Sequence, residues 1–368
     1  MYENDDRVVV TLDAGGSNFV FSAVQGNDYV MRPISLQTNA SDLDNCLAIL
    51  IKGFEAVIRS LGVTPVAISF AFPGPADYKN GIIGGYLPNF PSFRDGVALG
   101  PFLEKKFGLP VFINNDADLF TYGEAIAGAL PEVNKRLQEA GSIKQYNNLI
   151  GYTWGTGFGF GISFNGALHI GDNSCTETFC LRHKLMPDII VEEGVSARAI
   201  KRVYGELTNQ PVNDLEPLDI FRIANGVREG DRNAAVKAFE LFGEVAGDAI
   251  ATATSLIDGL VVIGGGITAA SKFIMPSLLR EMRSSLKTLS GENVGRLQMS
   301  VYNLDCEEEF EQFARGQSRE LKVYGCNDKV IYDPEKRTGV MISKIGASKA
   351  ISLGAYCYAL HNLDCNNC

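Results

Sequence analysis

The chain has 368 residues, 33 basic against 43 acidic, for a net charge of −10, and 46% of it is hydrophobic. Disordered, collagen-like and low-complexity classes are excluded by that balance. No Lys/Arg run exceeds two residues, so neither nucleic acid nor a membrane surface is an expected partner. Glycine accounts for 39 residues, about 13 more than an average chain of this length carries, and their positions guide the reading. The length predicts two domains, each able to bury its own core. Met1–Arg7 is acidic and lacks the basic and apolar regions of an export signal. The eight cysteines are scattered along the sequence, which predicts reduced thiols in a cytoplasmic protein. Cys365-x-x-Cys368, the one CxxC, has no second pair and reads as a frayed tail rather than a metal site.

In chain order, Val8–Leu12 is an apolar strand running into Asp13-Ala14-Gly15-Gly16-Ser17. Strands are expected over Asn18–Val24 and Tyr29–Ile34, with a turn at Gly26-Asn27-Asp28. Ser41 is placed to cap a helix whose Leu43, Leu47, Leu50, Phe54, Val57 and Leu61 keep helical spacing. Buried strands follow at Val66–Phe72, ending in Pro73-Gly74-Pro75, and at Leu109–Asn114, ending at Asn115-Asp116 before a helix. A similar order recurs. Asn148–Trp154, Phe158–Phe164 and Ala167–Ile170 read as strands around Gly155-Thr156-Gly157, then helices across Leu218–Glu229 and Asn233–Leu256. Strand Leu260–Ile263 meets Gly264-Gly265-Gly266, and a helix starts after Ile267. Asp258 and those glycines make Ala249–Ala270 a buried helix and strand rather than a membrane span.

Residues 298–343 look irregular. Short strands are expected at Gln298–Asn303, Glu320–Tyr324, and Lys329–Tyr332 with Gly339–Ser343, the last two joined by a hairpin turn at Asp333–Lys336; Asp305–Glu311 is an acidic stretch. Gly346, Ala350 and Gly354, four apart, give one helix face close packing.

Two Gly-rich turns, each after the first strand of a half, suggest a duplicated α/β unit. Asp13-Ala14-Gly15-Gly16-Ser17 can bring backbone N–H groups to phosphate oxygens, with Asp13 orienting Mg²⁺ through water; a tight hairpin is an equal alternative. Thr153 and Thr156 around Gly155 and Gly157 form a second loop of this kind, a twisted hairpin being the plain alternative. The single Trp, Trp154, lies in this loop, so its fluorescence is expected to respond to nucleotide. Gly264-Gly265-Gly266 either lets a flat ring slide over bare backbone or serves as a helix entry turn. Asp116, at a strand's C-terminal end, can accept a proton from a substrate hydroxyl, though Asp there is also a favoured helix cap. Glu177, and Glu192 with Glu193, can bond polyol hydroxyls; taken alone, the last two fit better as ordinary acids of a helix's first turn.

Together, Asp13–Ser17, Phe72-Pro73-Gly74-Pro75, Leu87-Pro88-Asn89-Phe90, Asn115-Asp116-Ala117-Asp118, Gly155-Thr156-Gly157 and Val262–Gly266 resemble the ROK family of sugar kinases and sugar-responsive repressors. The resemblance runs through most of 8–290 and again through 344–360. It implies a duplicated ribonuclease-H-like α/β fold of the actin/hexokinase type, two domains with a central cleft: 1–117 plus 345–368, and 118–344 carrying 298–343 as an insertion. It further implies an ATP- and Mg²⁺-dependent kinase acting on a sugar hydroxyl, usually O6, with Asp116 as general base. Gly74, Asn89, Asn115, Glu177 and Glu192 would hold the sugar. Asp13, Gly15, Gly16, Ser17, Asn18, Thr153, Gly155, Thr156 and Gly157 would hold phosphates, and Gly264, Gly265 and Gly266 the adenosine. Many family members carry Gly-Glu-x-Gly-His and a Cys-rich zinc loop. Here Cys180 stands where that His is expected and no cysteine lies between Leu181 and Glu192, so no zinc site is expected. A homo-oligomer, a dimer, is expected, with 298–343 as a lid or subunit contact. The alternatives are a sugar-responsive regulator, for which the early first strand and the negative charge leave no DNA-binding segment, and another ATPase of the superfamily, such as an acid kinase.

Overall fold

The computed structural model describes residues 2–14, 18–74 and 76–365. The chain forms two compact units, one of Met1–Pro131, Gly161–Thr176 and Lys344–Cys368, the other of Glu132–Phe160 and Glu177–Ser343.

The first unit starts with β1 (Val9–Ala14), whose apolar run is buried, and antiparallel β2 (Asn18–Gln25). The turn after β2 falls at Gly26 and Asn27, both with positive φ. One strand is expected over 29–34; instead there are two, β3 (Asp28–Tyr29) and β4 (Ile34–Gln37), both pairing with β2. Pro33 intervenes, and its missing N–H cannot continue a ladder. Helix α1 (Leu43–Ser60) buries Cys46, Leu50, Phe54 and Val57. Its cap is Asp42, which accepts the Asn45 N–H at 3.1 Å. Ser41, the expected cap, turns its hydroxyl to Asn39.

Strand β5 (Ala67–Ala71) lies parallel to β1 and is buried throughout. A two-residue pair, β6 (Ala76–Asp77) and β7 (Ile82–Ile83), and helix α2 (Leu99–Phe107) lead to β8 (Val111–Asn114), parallel to β5. The sheet order is β3-β2-β1-β5-β8, with β4 on β2. Helix α3 (Asp116–Ala127) packs on the C-terminal helix Ala347–Cys365 through small residues. A β-carbon at Gly354 would lie 1.9 Å from the Leu119 carbonyl oxygen, and one at Gly123 2.0 Å from that of Ala350. Gly346 precedes the helix, with φ of +81°, so Ala350 and Gly354 alone of the expected stripe serve this contact. Phe19, Phe54, Phe70, Phe72, Phe90 and Phe93 fill the core.

Helix α4 (Ala129–Glu139) precedes β9 (Leu149–Trp154), β10 (Phe158–Phe164) and β11 (Ala167–His169). Three helices follow, α5 (Ala197–Thr208), α6 (Pro217–Ala224) and α7 (Arg232–Ile257), then β12 (Leu260–Gly264) and α8 (Ser271–Met282). The remaining elements are β13 (Ser285–Lys287), β14 (Asn293–Gly295), β15 (Ser300–Asn303), α9 (Glu307–Arg315), β16 (Arg319–Lys322), β17 (Lys329–Tyr332) and β18 (Arg337–Ile342). The second six-stranded sheet runs β11-β10-β9-β12-β18-β15. Each large sheet thus places three successive strands side by side and adds parallel strands beyond the first. The duplication expected from sequence is present.

The 298–343 segment is more regular than its sequence suggests. Its ends, β15 and β18, are parallel strands of the large sheet. The acidic stretch forms α9, which buries Phe310, Phe313 and Ala314 and leaves its acids outside. No hairpin joins Lys329–Tyr332 to the strand after it: β17 pairs with β16 in an exposed two-stranded arm. Asp333, expected in the turn, closes the base of the arm, pairing with buried Arg337 and accepting the Gln317 N–H. Among the described residues no helix is long and apolar enough to cross a membrane.

Candidate functional site

In the first unit, three parallel strands end at one edge. Asp13 on β1 lies opposite Ala71 on β5, and Ala71 opposite Asn114 on β8. Ligands of open α/β sheets bind at such carboxyl ends. The cap of α3 is Asn115, whose Oδ1 accepts the Ala117 N–H at 2.8 Å. That places Asp116 at the first helical position, where its Oδ1 accepts the same N–H at 2.8 Å. Solvent reaches Asp116, yet crowding by protein, with the charge of Asp13 added, raises its pKa above the ordinary carboxylate value. Burial raises that of Asp13 as well.

Gly74 follows β5, and a β-carbon there would sit 2.8 Å from the Tyr78 hydroxyl, which donates to the Phe72 carbonyl. Asn89 is exposed in a loop anchored by buried Leu87 and Phe90. The Phe90 ring meets Phe72 at 4.7 Å, which keeps this loop beside the end of β5. Asn18 is exposed at the start of β2. Gly15, Gly16 and Ser17 lie outside the described residues, as does Cys368.

In the second unit the other two Gly-rich turns adjoin. Thr153 on β9 pairs with Gly264 on β12. Gly265 has φ of +96°, and a β-carbon there would lie 2.2 Å from the Trp154 carbonyl oxygen; both facts require glycine. The Trp154 indole is fully buried and meets Phe242 edge-on at 5.2 Å, so it belongs to the core beneath the loop rather than to the loop surface. Gly155 donates to the Gly157 carbonyl at 3.2 Å, closing the turn.

Glu192 sits in a one-turn helix, Val191–Glu193, and its Oε2 accepts the Phe158 N–H at 3.0 Å. Its Oε1 pairs with Arg198 at 2.8 Å, and Arg198 also binds Glu193. Ala197 donates to the Gly155 carbonyl at 2.9 Å, and Arg198 to that of Thr156 at 3.4 Å. Glu177 is half-buried in the segment before this helix, and Cys180 is exposed. Arg198 and α5 lie outside the site residues and elements expected from sequence. The signal was there: Ser196 caps α5, and Ala199, Ile200 and Tyr204 keep helical spacing.

The ROK family model matches residues 9–303. The chain belongs to the ROK family. A glucokinase from Parabacteroides distasonis, solved as a crystal structure, is 56% identical over 98% of this chain and 99% of that one, with a TM-score of 0.90. A Thermotoga maritima glucokinase is 24% identical over 73% of this chain and 85% of its own. A ROK family glucokinase from Streptomyces griseus, solved with glucose and AMPPNP, is 18% identical over 95% of this chain and 98% of that one, with a TM-score of 0.61; it shares the fold. The fold is therefore the actin-like ATPase fold of ROK hexokinases and glucokinases, and the chain stands with the sugar kinases of its family.

Proposed function

We propose that this sugar kinase transfers the γ-phosphate of ATP to a hexose or N-acetylhexosamine hydroxyl, O6 in the first instance, with Asp116 as general base. The observation that carries the reading is the placing of Asp116. Asn115 takes over the cap, so the Asp116 carboxylate stands at the end of β8 with its proton affinity raised, as a base for a sugar hydroxyl requires. Gly74, Asn89 and Asn115, around the same edge, would hold other hydroxyls, and the family resemblance assigns Glu177 and Glu192 to the sugar as well. Glu192 already holds Phe158 and Arg198, but each carboxylate oxygen keeps a second lone pair.

Asp13, Gly15, Gly16, Ser17 and Asn18 are assigned to phosphates in the first unit, and Thr153, Gly155, Thr156 and Gly157 in the second. Gly264, Gly265 and Gly266 are assigned to the adenosine. The like charges of Asp13 and Asp116 suit a cation, which fits Mg²⁺ held through water by Asp13. Mg²⁺ would neutralise charge on the phosphates. Backbone N–H groups of the Gly loops orient the transferring group, and Asp116 takes the hydroxyl proton as the sugar oxygen bonds to the γ-phosphorus and the bond from that phosphorus to the β–γ bridging oxygen breaks, leaving ADP. A homodimer in the cytoplasm completes the reading, supported by the exposed apolar Val330, Ile331 and Tyr332 of the β16–β17 arm.

The deciding experiment is a coupled ADP-release assay with glucose, mannose, N-acetylglucosamine and N-acetylmannosamine, on the wild type and Asp116→Asn. Turnover of at least one sugar is expected, falling roughly 10²–10⁴-fold in the variant with sugar KM nearly unchanged. Near-normal turnover by Asp116→Asn removes it as the base; no turnover of any of the four removes the substrate class.

A further inference from the structure

Beside Val191–Glu193 and α5 the second unit contains a cavity of about 280 Å³. Its lining is mainly apolar, with Ile200, Leu207, Ala238, Phe242 and Val245 in the walls. The polar lining groups are His183, Arg202 and Glu206. His183 is buried, and its Nδ1 accepts the N–H groups of Leu185 at 3.1 Å and Met186 at 3.2 Å. That pattern puts the ring proton on Nε2. Burial, helped by the Arg202 charge, lowers the His183 pKa, which keeps the ring neutral. Among the described residues no protein acceptor meets its Nε2–H, which leaves that donor open to an acceptor supplied by a ligand. Arg202 donates to the Glu193 carbonyl at 3.1 Å and pairs with Glu206 at 2.8 Å. The Glu206 side chain is 61% exposed, free to turn toward water.

The elements that line this cavity also hold the Gly155–Phe158 loop. Gly194, Ala199 and Arg202 face the cavity. Glu192, Ala197 and Arg198, within the same stretch of eleven residues, bond Phe158, Gly155 and Thr156. Anything that fills the cavity therefore stiffens or shifts the support of the loop.

We propose that this cavity is an effector site for a small aryl-alkyl carboxylate, an apolar body with one anionic acceptor. Its size sets the body: an apolar cavity of ~150 Å³ takes a benzene ring, so about 280 Å³ admits one ring with a short chain. Its donors, His183 Nε2–H and the Arg202 guanidinium, set the head group. Binding fixes residues 191–202 and, through Glu192 and Ala197, the Gly155–Phe158 loop. The coupling rests on reading that loop as a nucleotide loop; the binding does not.

Trp154 gives a direct readout, because the single indole packs on Phe242, a wall of the cavity. The full chain is titrated with 4-phenylbutanoate and with 4-phenylbutan-1-ol, following Trp154 fluorescence. A saturable change is expected, with the acid binding about tenfold tighter than the alcohol. Ala238→Leu, which fills the cavity, should abolish the change, and Arg202→Gln should erase the preference for the acid; thermal midpoints report whether each variant folds. Silence of the wild type toward both probes at millimolar concentration overturns the site. So does an undiminished response in folded Ala238→Leu. Should that variant not fold, Arg202→Gln decides, and a retained preference for the acid is the contrary result. An ATP KM unmoved by saturating probe overturns the coupling alone. A protein without kinase activity refutes the proposed function, and the fluorescence titration still decides the site.

Discussion

Asp13 and Asp116 meet as like charges at the carboxyl edge of the first sheet, and both hold their protons more tightly than ordinary carboxyls. Such a pair stores a cost that a bound cation or a substrate proton relieves. For a carboxyl whose folded pKa lies above its unfolded value, stability falls as pH rises from the unfolded pKa through the folded one. The penalty thus builds as the pH rises above about 4. Asp116→Asn should therefore raise the thermal midpoint at pH 7 while lowering turnover, and the gain should vanish below about pH 4. A variant less stable than the wild type at pH 7 would mean that the Ala117 N–H already compensates the charge.

The same pair predicts the acid limb of the pH–rate profile. Activity should rise with pH as Asp116 ionises, at a pH above the ordinary carboxylate range. Asp13→Asn removes the neighbouring charge and should move that limb to lower pH, read from kcat/KM between pH 4 and 8. An unmoved limb would exclude their coupling.

Glu192, proposed as a sugar ligand, also holds the Phe158 backbone in the second loop. Losing one charged hydrogen bond costs about 1.5–3 kcal/mol. Glu192→Ala should thus raise the KM for ATP by about tenfold or more, and Glu192→Gln, which keeps an acceptor, by less. A rise confined to the sugar KM would return Glu192 to the sugar site alone.

Packing of α3 on the C-terminal helix depends on Gly354. A β-carbon 1.9 Å from the Leu119 carbonyl oxygen leaves backbone movement as the only relief. Gly354→Ala should destabilise the protein by about 2 kcal/mol or more, measured by denaturant unfolding. A loss under about 0.5 kcal/mol, the range of ordinary surface changes, would show that the helices separate easily.

The β16–β17 arm can be removed without touching the large sheet. Replacing residues 319–332 with a short glycine link should leave the thermal midpoint nearly unchanged, because both strands are exposed. If the arm joins subunits, light scattering will show the shortened chain at half the mass of the wild type; equal masses end that role. Deleting all of 298–343 removes β15 and β18 and should unfold the second unit.

The sequence by itself determined the alternation of strands, Gly-rich turns and helices, and with it the duplicated fold and the family. Those features are local: apolar runs, turn chemistry and helical spacing act over a few residues. Asp116 was legible as a carboxylate at a strand end, but not that Asn115 would carry the cap, because both types cap helices equally well. Only the tertiary structure decided the partners distant in sequence. Glu192 meets Phe158 across 34 residues, and β18 joins β12 and β15 rather than the nearby β17. Gly265 presses on the Trp154 backbone, which turns the indole from an expected loop reporter into a core residue. The acids of 305–311 hid the Phe310 and Phe313 stripe that buries α9. Pairing of this kind is chosen by which surfaces bury together, and no short stretch of sequence contains both sides of that choice.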